Sequence, residues 1–194
     1  MILKIVTAGD PILRAPSKPV SAGKIRQPEI QTLIDLMRET MREAPGVGLA
    51  APQIGRSLQL AVIEDREETL RELPPAQLAE RERKPVPFHV IVNPKLKLES
   101  APELEFYEGC LSLPGLLALT PRARQVTVEC LDHRGEPRII RASGWYARIL
   151  QHEIDHLHGA LYIDRMRSRS LTSVDNYMRH WKDKSVAQAQ KLLE

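Results

Sequence analysis

The sequence predicts one α+β domain in which antiparallel strands surround a central helix equipped to hold a metal ion. Three observations lead there. Gln151-His152-Glu153-Ile154-Asp155-His156 carries two histidines four residues apart, so on a helix both imidazoles leave one face about one turn apart. Short blocks rich in Val, Ile and Leu alternate with turn residues, as in an antiparallel sheet. At 194 residues without repeats, the chain is long enough to bury one proper core.

Taken in order, Ile2–Val6 reads as a short strand closed by the turn Gly9-Asp10-Pro11. Pro28 marks a helix start, and Ile30, Leu33, Ile34, Met37 and Met41 keep the helical period up to Pro45-Gly46. Gly46-Val47-Gly48-Leu49-Ala50-Ala51-Pro52-Gln53 holds so many small residues that something is expected to approach its backbone closely. It lacks the Gly-Lys-Ser/Thr ending of a phosphate loop. Gln53 is the one polar side chain there able to donate a hydrogen bond into a site, although a lone Gln reads first as a loop cap. Leu58–Ile63 reads as a strand.

Glu64–Pro87 is crowded with charges and prolines and is expected as a solvated excursion with one short helix near Pro75–Arg83. Strands resume at His89–Asn93, Lys95–Glu99, Leu104–Tyr107, Gln125–Leu131 and Arg138–Ala142. The turn Asp132-His133-Arg134-Gly135 joins the last two as a hairpin. Ser143 is placed to cap the histidine helix, and Gly159 to stop it. From Arg165 on, Leu171, Val174, Tyr177, Met178 and Trp181 recur at roughly helical spacing, so 165–194 is expected as a helical tail packed on the body. Its Arg and Lys residues read as a solvated face, with a basic docking surface as the second reading.

Composition excludes several classes. A formal charge of +3 is too mild to argue nucleic-acid binding, and two cysteines make no disulfide framework. No stretch approaches the roughly 20 apolar residues of a membrane span, and Met1–Val6 does not open a secretory signal. A soluble intracellular protein is expected.

The chemistry lies on the histidine helix. Glu153 follows the first His and would lie beside an ion without ligating it, as the general base of a metallohydrolase does. The plainer reading is a surface helix with two solvated histidines. His158 is out of phase with the pair and reads as a bystander. Two imidazoles need a third protein ligand, and Tyr162 fills the slot where the longer metzincin motif has its third His. Two candidates remain. Asp175 would complete a metallopeptidase site with His152 and His156. Cys110, in Glu108-Gly109-Cys110-Leu111-Ser112, would add a soft thiolate suited to zinc or ferrous iron. Alone, Cys110 reads as a small buried hydrophobe; beside this helix the ligand reading leads. Cys130 alternates within an apolar strand and reads as packing.

With these segments in hand, the chain resembles the peptide deformylases. That family is marked by G-Φ-G-Φ-A-A-x-Q, E-G-C-Φ-S and Q-H-E-Φ-D-H, where Φ is apolar. The chain matches all three, in order, at Gly46–Gln53, Glu108–Ser112 and Gln151–His156. Gly9-Asp10-Pro11-Ile12-Leu13-Arg14 adds to a likeness that runs to about Asp164. The resemblance implies a metal-dependent hydrolase that removes the formyl group from the formyl-methionine of newly synthesised proteins, releasing formate. It implies one divalent metal per chain, Fe2+ first, with Zn2+, Ni2+ or Co2+ able to substitute, held by Cys110, His152 and His156. Glu153 would carry the proton transfers, while the Gln53 amide and the Leu111 backbone N–H would face the developing oxyanion.

Substrate contacts carry over to Val47, Gly48, Gly109, Trp145 and Ile149, and Glu108 is expected to pair with Arg122 as support. The implied partner is the nascent formylated polypeptide, with the ribosome open as a docking partner for the basic tail. No direct nucleic acid and no membrane are expected, and the working unit is expected to be a monomer. The implied location is bacterial cytoplasm, or an organellar matrix or stroma if a transit peptide has been removed. Leu117 stands where many relatives carry an Arg that helps hold the peptide. Trp145-Tyr146-Ala147-Arg148-Ile149-Leu150 and the charged insertion Glu64–Pro87 look more like the organellar branch than the common bacterial one.

Overall fold

The computed structural model describes residues 1–193. Its elements run α1 (Ala22–Ile25), α2 (Pro28–Glu43), β1 (Gly48–Ala50), β2 (Leu60–Asp65), α3 (Glu67–Arg71) and α4 (Pro75–Glu80). β3 (Val86–Leu98), β4 (Leu104–Cys110), β5 (Leu113–Arg122), β6 (Gln125–Leu131) and β7 (Pro137–Ser143) follow. α5 (Gly144–Leu157), β8 (Thr172–Ser173), α6 (Val174–His180) and α7 (Val186–Leu193) complete the chain. One sheet has the order β1-β2-β3-β6-β7 and a second the order β4-β5-β8, all neighbours antiparallel. The expected α+β architecture is the one observed. No helix among the described residues is long and apolar enough to cross a membrane.

At β1 and β2 the larger sheet is buried on both faces, whereas β6 and β7 turn one face to solvent, and strand alternation assigns each residue its side. On β2, Leu60 and Val62 join Ile30, Ile34, Met37 and Met41 of α2, whereas Ala61 and Ile63 join Ala147, Leu150, Ile154 and Leu157 of α5. Those α5 positions form one helical stripe. The other side of α5 carries Arg148, His152 and Asp155, whose side chains bond to groups on β4 and β5. The histidine helix is therefore central, apolar toward the larger sheet and polar toward the smaller one.

Several segments depart from the sequence reading. Ile2–Val6 is not a strand: Leu3 N–H bonds the Thr40 hydroxyl and Val6 N–H the Gln53 carbonyl, so its polar groups are met outside any ladder. His89–Asn93 and Lys95–Glu99 belong to one long strand, β3, irregular in register between Val92 and Lys95, with Asn93 at φ 50. Leu113–Arg122 is a ten-residue strand that the reading passed over. The segment after Arg165 holds β8 and two short helices, and β8 pairs with Leu116 and Leu117 of β5.

The insertion 64–87 is not a free excursion either. It holds two short helices, α3 and α4, and Asp65 is buried in a bidentate ion pair with Arg83 at 2.7 and 2.9 Å. The Arg81 carbonyl accepts from Trp145 N–H at 2.9 Å. Ser143 occupies the N-cap position of α5 but makes no side-chain cap bond. The insertion backbone thus supplies the acceptor expected from Ser143. Gly144 permits the approach: at φ +59, an added Cβ would lie 2.5 Å from Glu82 Cβ and 2.9 Å from Arg81 O.

Gly144→Ala should therefore destabilise the protein by clearly more than Gly55→Ala, measured by denaturant unfolding. Gly55 has a similar φ of +72 but open space around it, so its cost is backbone strain alone, about 1 kcal/mol. Equal costs for the two would show that the insertion does not press on the helix start.

Candidate active site

Cys110, His152 and His156 each offer a ligand atom, and the three atoms lie within 4.8 Å of one another. The histidines come from one turn of α5. Cys110 comes from the end of β4, where the pairing with β5 jumps from Gly109↔Leu117 to Cys110↔Leu113. Such an irregularity re-aims the side chain that follows it. Cys110 Sγ stands 3.3 Å from His156 Nε2. His152 Nδ1 is 3.1 Å from Glu108 Oε2, which leaves Nε2 for an ion, with its partner nitrogen oriented by a carboxylate. His156 Nδ1 is buried without a hydrogen-bond partner. One thiolate and two imidazoles fit a borderline-soft divalent metal. Asp175 is exposed in the first turn of α6 and is not in this cluster, so it does not complete the site.

Glu108 ties the segments of this cluster together. It is buried at 5% exposure, and Arg122 donates to both of its oxygens at 3.0 Å. Arg148 donates to Glu108 Oε1 at 2.5 Å and to the Thr120 carbonyl at 2.8 Å. Burial opposes ionisation of Glu108, but Arg122, His152 and Arg148 outweigh it and hold its carboxyl well below the usual range. Arg122 also bonds Asp155, which in turn accepts two bonds of 2.8 Å from Arg165. The expected Glu108–Arg122 pair is thus the centre of a larger network that crosses from β4 and β5 to α5.

Glu153 lies against β1. A Cβ added at Gly48 would lie 2.5 Å from Glu153 Cδ, so only glycine leaves room for that carboxylate. Its Oε2 is buried without a hydrogen-bond partner, and burial pushes its pKa up to about 7. A carboxyl with that value can both take and return a proton near neutrality. Gln53, in the tight turn Ala51–Ile54, accepts from Ala50 N–H at 2.8 Å through Oε1. That bond turns its Nε2 toward Ser112 Oγ at 3.3 Å and Cys110 Sγ at 3.5 Å. One end of the amide thus caps the loop, and the other lies beside Ser112 and Cys110.

A cavity of about 660 Å³ opens over these groups. Val47, Gly48, Gly109, Leu111, Trp145 and Ile149 line it, as do Cys110, Glu153 and Gln53. The sequence reading missed other lining residues. Arg81 and Arg83 come from the insertion, Tyr107 and Arg148 from β4 and α5, and Val174 and Tyr177 from α6. Only Arg148 had a signal: it stands one turn before His152, on the polar stripe of α5.

The sequence pattern of the family described as polypeptide deformylase matches residues 2–171. The chloroplastic peptide deformylase 1A of Solanum lycopersicum is 46% identical over 172 residues, which is 89% of this chain and 62% of that protein. This chain thus spans less than two thirds of that relative. The mitochondrial peptide deformylase of Homo sapiens is 44% identical over 170 residues, 88% of this chain and 70% of its own length. Among solved structures, a Met-Ala-Ser-bound class I type b peptide deformylase from Acinetobacter baumannii superposes with a TM-score of 0.75 at 32% identity. That match covers 86% of this chain and 99% of the other. The central histidine helix, the two antiparallel sheets and the three motif segments thus have their counterpart in one family: this chain belongs to the peptide deformylases.

Proposed function

We propose that this chain hydrolyses the formyl amide of N-terminal formyl-methionine on newly made polypeptides, releasing formate and a free amine. One observation carries the reading. A soft three-ligand cluster, a buried carboxylate without a partner and an amide donor converge on a single cavity. The metallopeptidase alternative lacks its third ligand, since Asp175 lies outside the cluster.

Cys110, His152 and His156 would hold one divalent ion per chain, ferrous iron by proposal, with zinc, nickel or cobalt able to replace it. When bound, that ion supplies a Lewis acid that brings the pKa of water toward about 7 and polarises a carbonyl. Glu153 takes the proton of the attacking water and passes it to the amine as the formyl C–N bond breaks. Gln53 Nε2–H and the Leu111 backbone N–H donate to the developing oxyanion. β1 is an edge strand, so a peptide can add beside Val47 and Gly48 through its own backbone. Trp145 and Ile149 offer apolar wall for the methionine side chain, and Gly109 lets Leu117 approach closely: an added Cβ would lie 2.7 Å from Leu117 Cδ2. The working unit is read as a monomer in the compartment where formylated chains are made, bacterial or organellar.

Formate release from formyl-Met-Ala-Ser, measured anaerobically with ferrous iron or nickel, tests this directly. Wild type should turn over. Glu153→Ala should keep its metal and lose on the order of 10²- to 10⁴-fold in rate. Gln53→Glu keeps the acceptor for Ala50 N–H but loses the donor, and should lose roughly 10²- to 10³-fold. A wild type that binds metal stoichiometrically yet releases no formate would sink the proposal.

The Glu108 network makes a separate prediction about metal affinity. Glu108→Gln should weaken metal binding by roughly 10- to 100-fold, read by competition with a chromogenic chelator. An unchanged affinity would show that Glu108 does not orient the His152 ring.

A further inference from the structure

We propose that Arg81 is the anion-recognising residue of the substrate cavity and selects peptides that carry a carboxylate close behind the formylated methionine. This deepens the function proposed above and rests on it. Arg81 is brought to the cavity by the insertion, whose backbone is fixed to the first turn of α5 through the Trp145 N–H bond to Arg81 O. Its guanidinium lies 5.0 Å from the Trp145 ring centre and 5.8 Å from that of Phe106.

Three guanidiniums crowd this indole, with Arg83 at 5.1 Å and Arg148 at 5.9 Å. Two of them are neutralised, Arg83 by Asp65 and Arg148 by Glu108. Arg81 pairs with no carboxylate among the described residues, and its Nε is buried without a hydrogen-bond partner. Its charge is felt nearby: burial draws Arg148 down to about 10, and repulsion from Arg122 and Arg81 adds to this. Stacking on an indole steadies a guanidinium but satisfies none of its N–H donors.

Two more donors share this wall. Trp145 Nε1 and the Tyr107 hydroxyl are buried without hydrogen-bond partners, and both residues line the cavity with Arg81. Unmet donors around an uncompensated cation are complemented by a group that only accepts and carries negative charge, which is a carboxylate. Because Cys110 and Glu153 line the same cavity, that carboxylate belongs to the bound peptide. It is either an Asp or Glu side chain just after the methionine or the free C-terminus of a very short peptide. Val174 and Tyr177 of α6 also line the cavity, and the Tyr177 ring lies 5.0 Å from that of Tyr107. Both α6 residues lie beyond the family match, which ends at residue 171. α4 and the tail are tied by Gln77 Nε2 donating to the Lys182 carbonyl at 3.2 Å. The recognition wall thus joins the insertion and the tail to Tyr107 of β4 and Trp145 of α5.

The test is equilibrium binding of three unformylated peptides to metal-loaded protein: Met-Ala-Ser-amide, Met-Asp-Ser-amide and Met-Ala-Ser with a free carboxylate. Formate kinetics on the formylated versions run in parallel. Wild type should bind at least one acidic peptide on the order of tenfold more tightly than the neutral amide, and kcat/KM should follow the same ratio. The favoured arm identifies the source of the carboxylate. In Arg81→Gln the acidic-to-neutral ratio should fall to about one, and in Arg81→Lys it should survive in part. Neither substitution touches the backbone carbonyl that caps α5, and each variant's neutral peptide is its own reference for losses of fold or metal. Equal binding by wild type, or a preference that persists in Arg81→Gln, overturns the proposal. Discrimination in binding without formate release would instead overturn the deformylase activity and leave the carboxylate site standing.

Discussion

One buried carboxylate, Glu108, ties the smaller sheet to the histidine helix. It sits at the end of the smaller sheet and accepts from Arg122, Arg148 and His152 at once. Removing it would leave two buried guanidiniums without their main counter-charge, a loss of a kind that costs about 3–5 kcal/mol when one partner of a buried pair is deleted. Removing either arginine would leave Glu108 under-compensated in the same place. The network is therefore all-or-none. Its functional consequence is angular: the carboxylate that pairs with Arg122 also fixes the His152 ring, and Arg122 continues through Asp155 to Arg165. A helix and a sheet edge that must present three ligand atoms to one point are locked together by charge.

The second constraint is space. The Glu153 carboxylate can lie against β1 only because Gly48 has no side chain. The start of α5 can accept the insertion only because Gly144 adopts a positive φ and has no Cβ. Both glycines lie at contacts between segments distant in sequence. The insertion, for all its charges, is built into the protein: its backbone caps the histidine helix and its arginines form part of the cavity wall. Helix cap and cavity wall are thereby coupled, so a change in the insertion is felt at the first turn of α5.

Much of this was legible in the sequence where the signal was local. Two histidines at i and i+4 fix their own common face, and the apolar periods of α2 and α5 predict which sides are buried. The three motifs fixed the family before any geometry. No strand was expected at β5, whose Pro114, Gly115 and Pro121 are residue types that strands disfavour; Pro114 and Gly115 sit at the exposed end where the register jumps, and Pro121 lies beside Glu105 near the far end. Ile2–Val6 looked like a strand because its composition is strand-like, but pairing is a tertiary choice and its partners are a turn and a helix side chain. In Glu80-Arg81-Glu82-Arg83, alternating signs resemble any solvated run. Nothing local tells which arginine turns inward, because that depends on Trp145 and Asp65, both distant in the chain. Asp175 failed as a ligand for the complementary reason: a suitable residue type in the right part of the chain carries no information about position in space.

The central claim is that Cys110, His152 and His156 form one metal site with a single sulfur donor. X-ray absorption of the protein loaded with one equivalent of nickel or zinc measures that donor set directly. The account predicts one sulfur near about 2.3 Å and two imidazole nitrogens near about 2.0–2.1 Å for zinc, with the sulfur scatterer absent in Cys110→Ser. A first shell of nitrogen and oxygen alone in the wild type would contradict it.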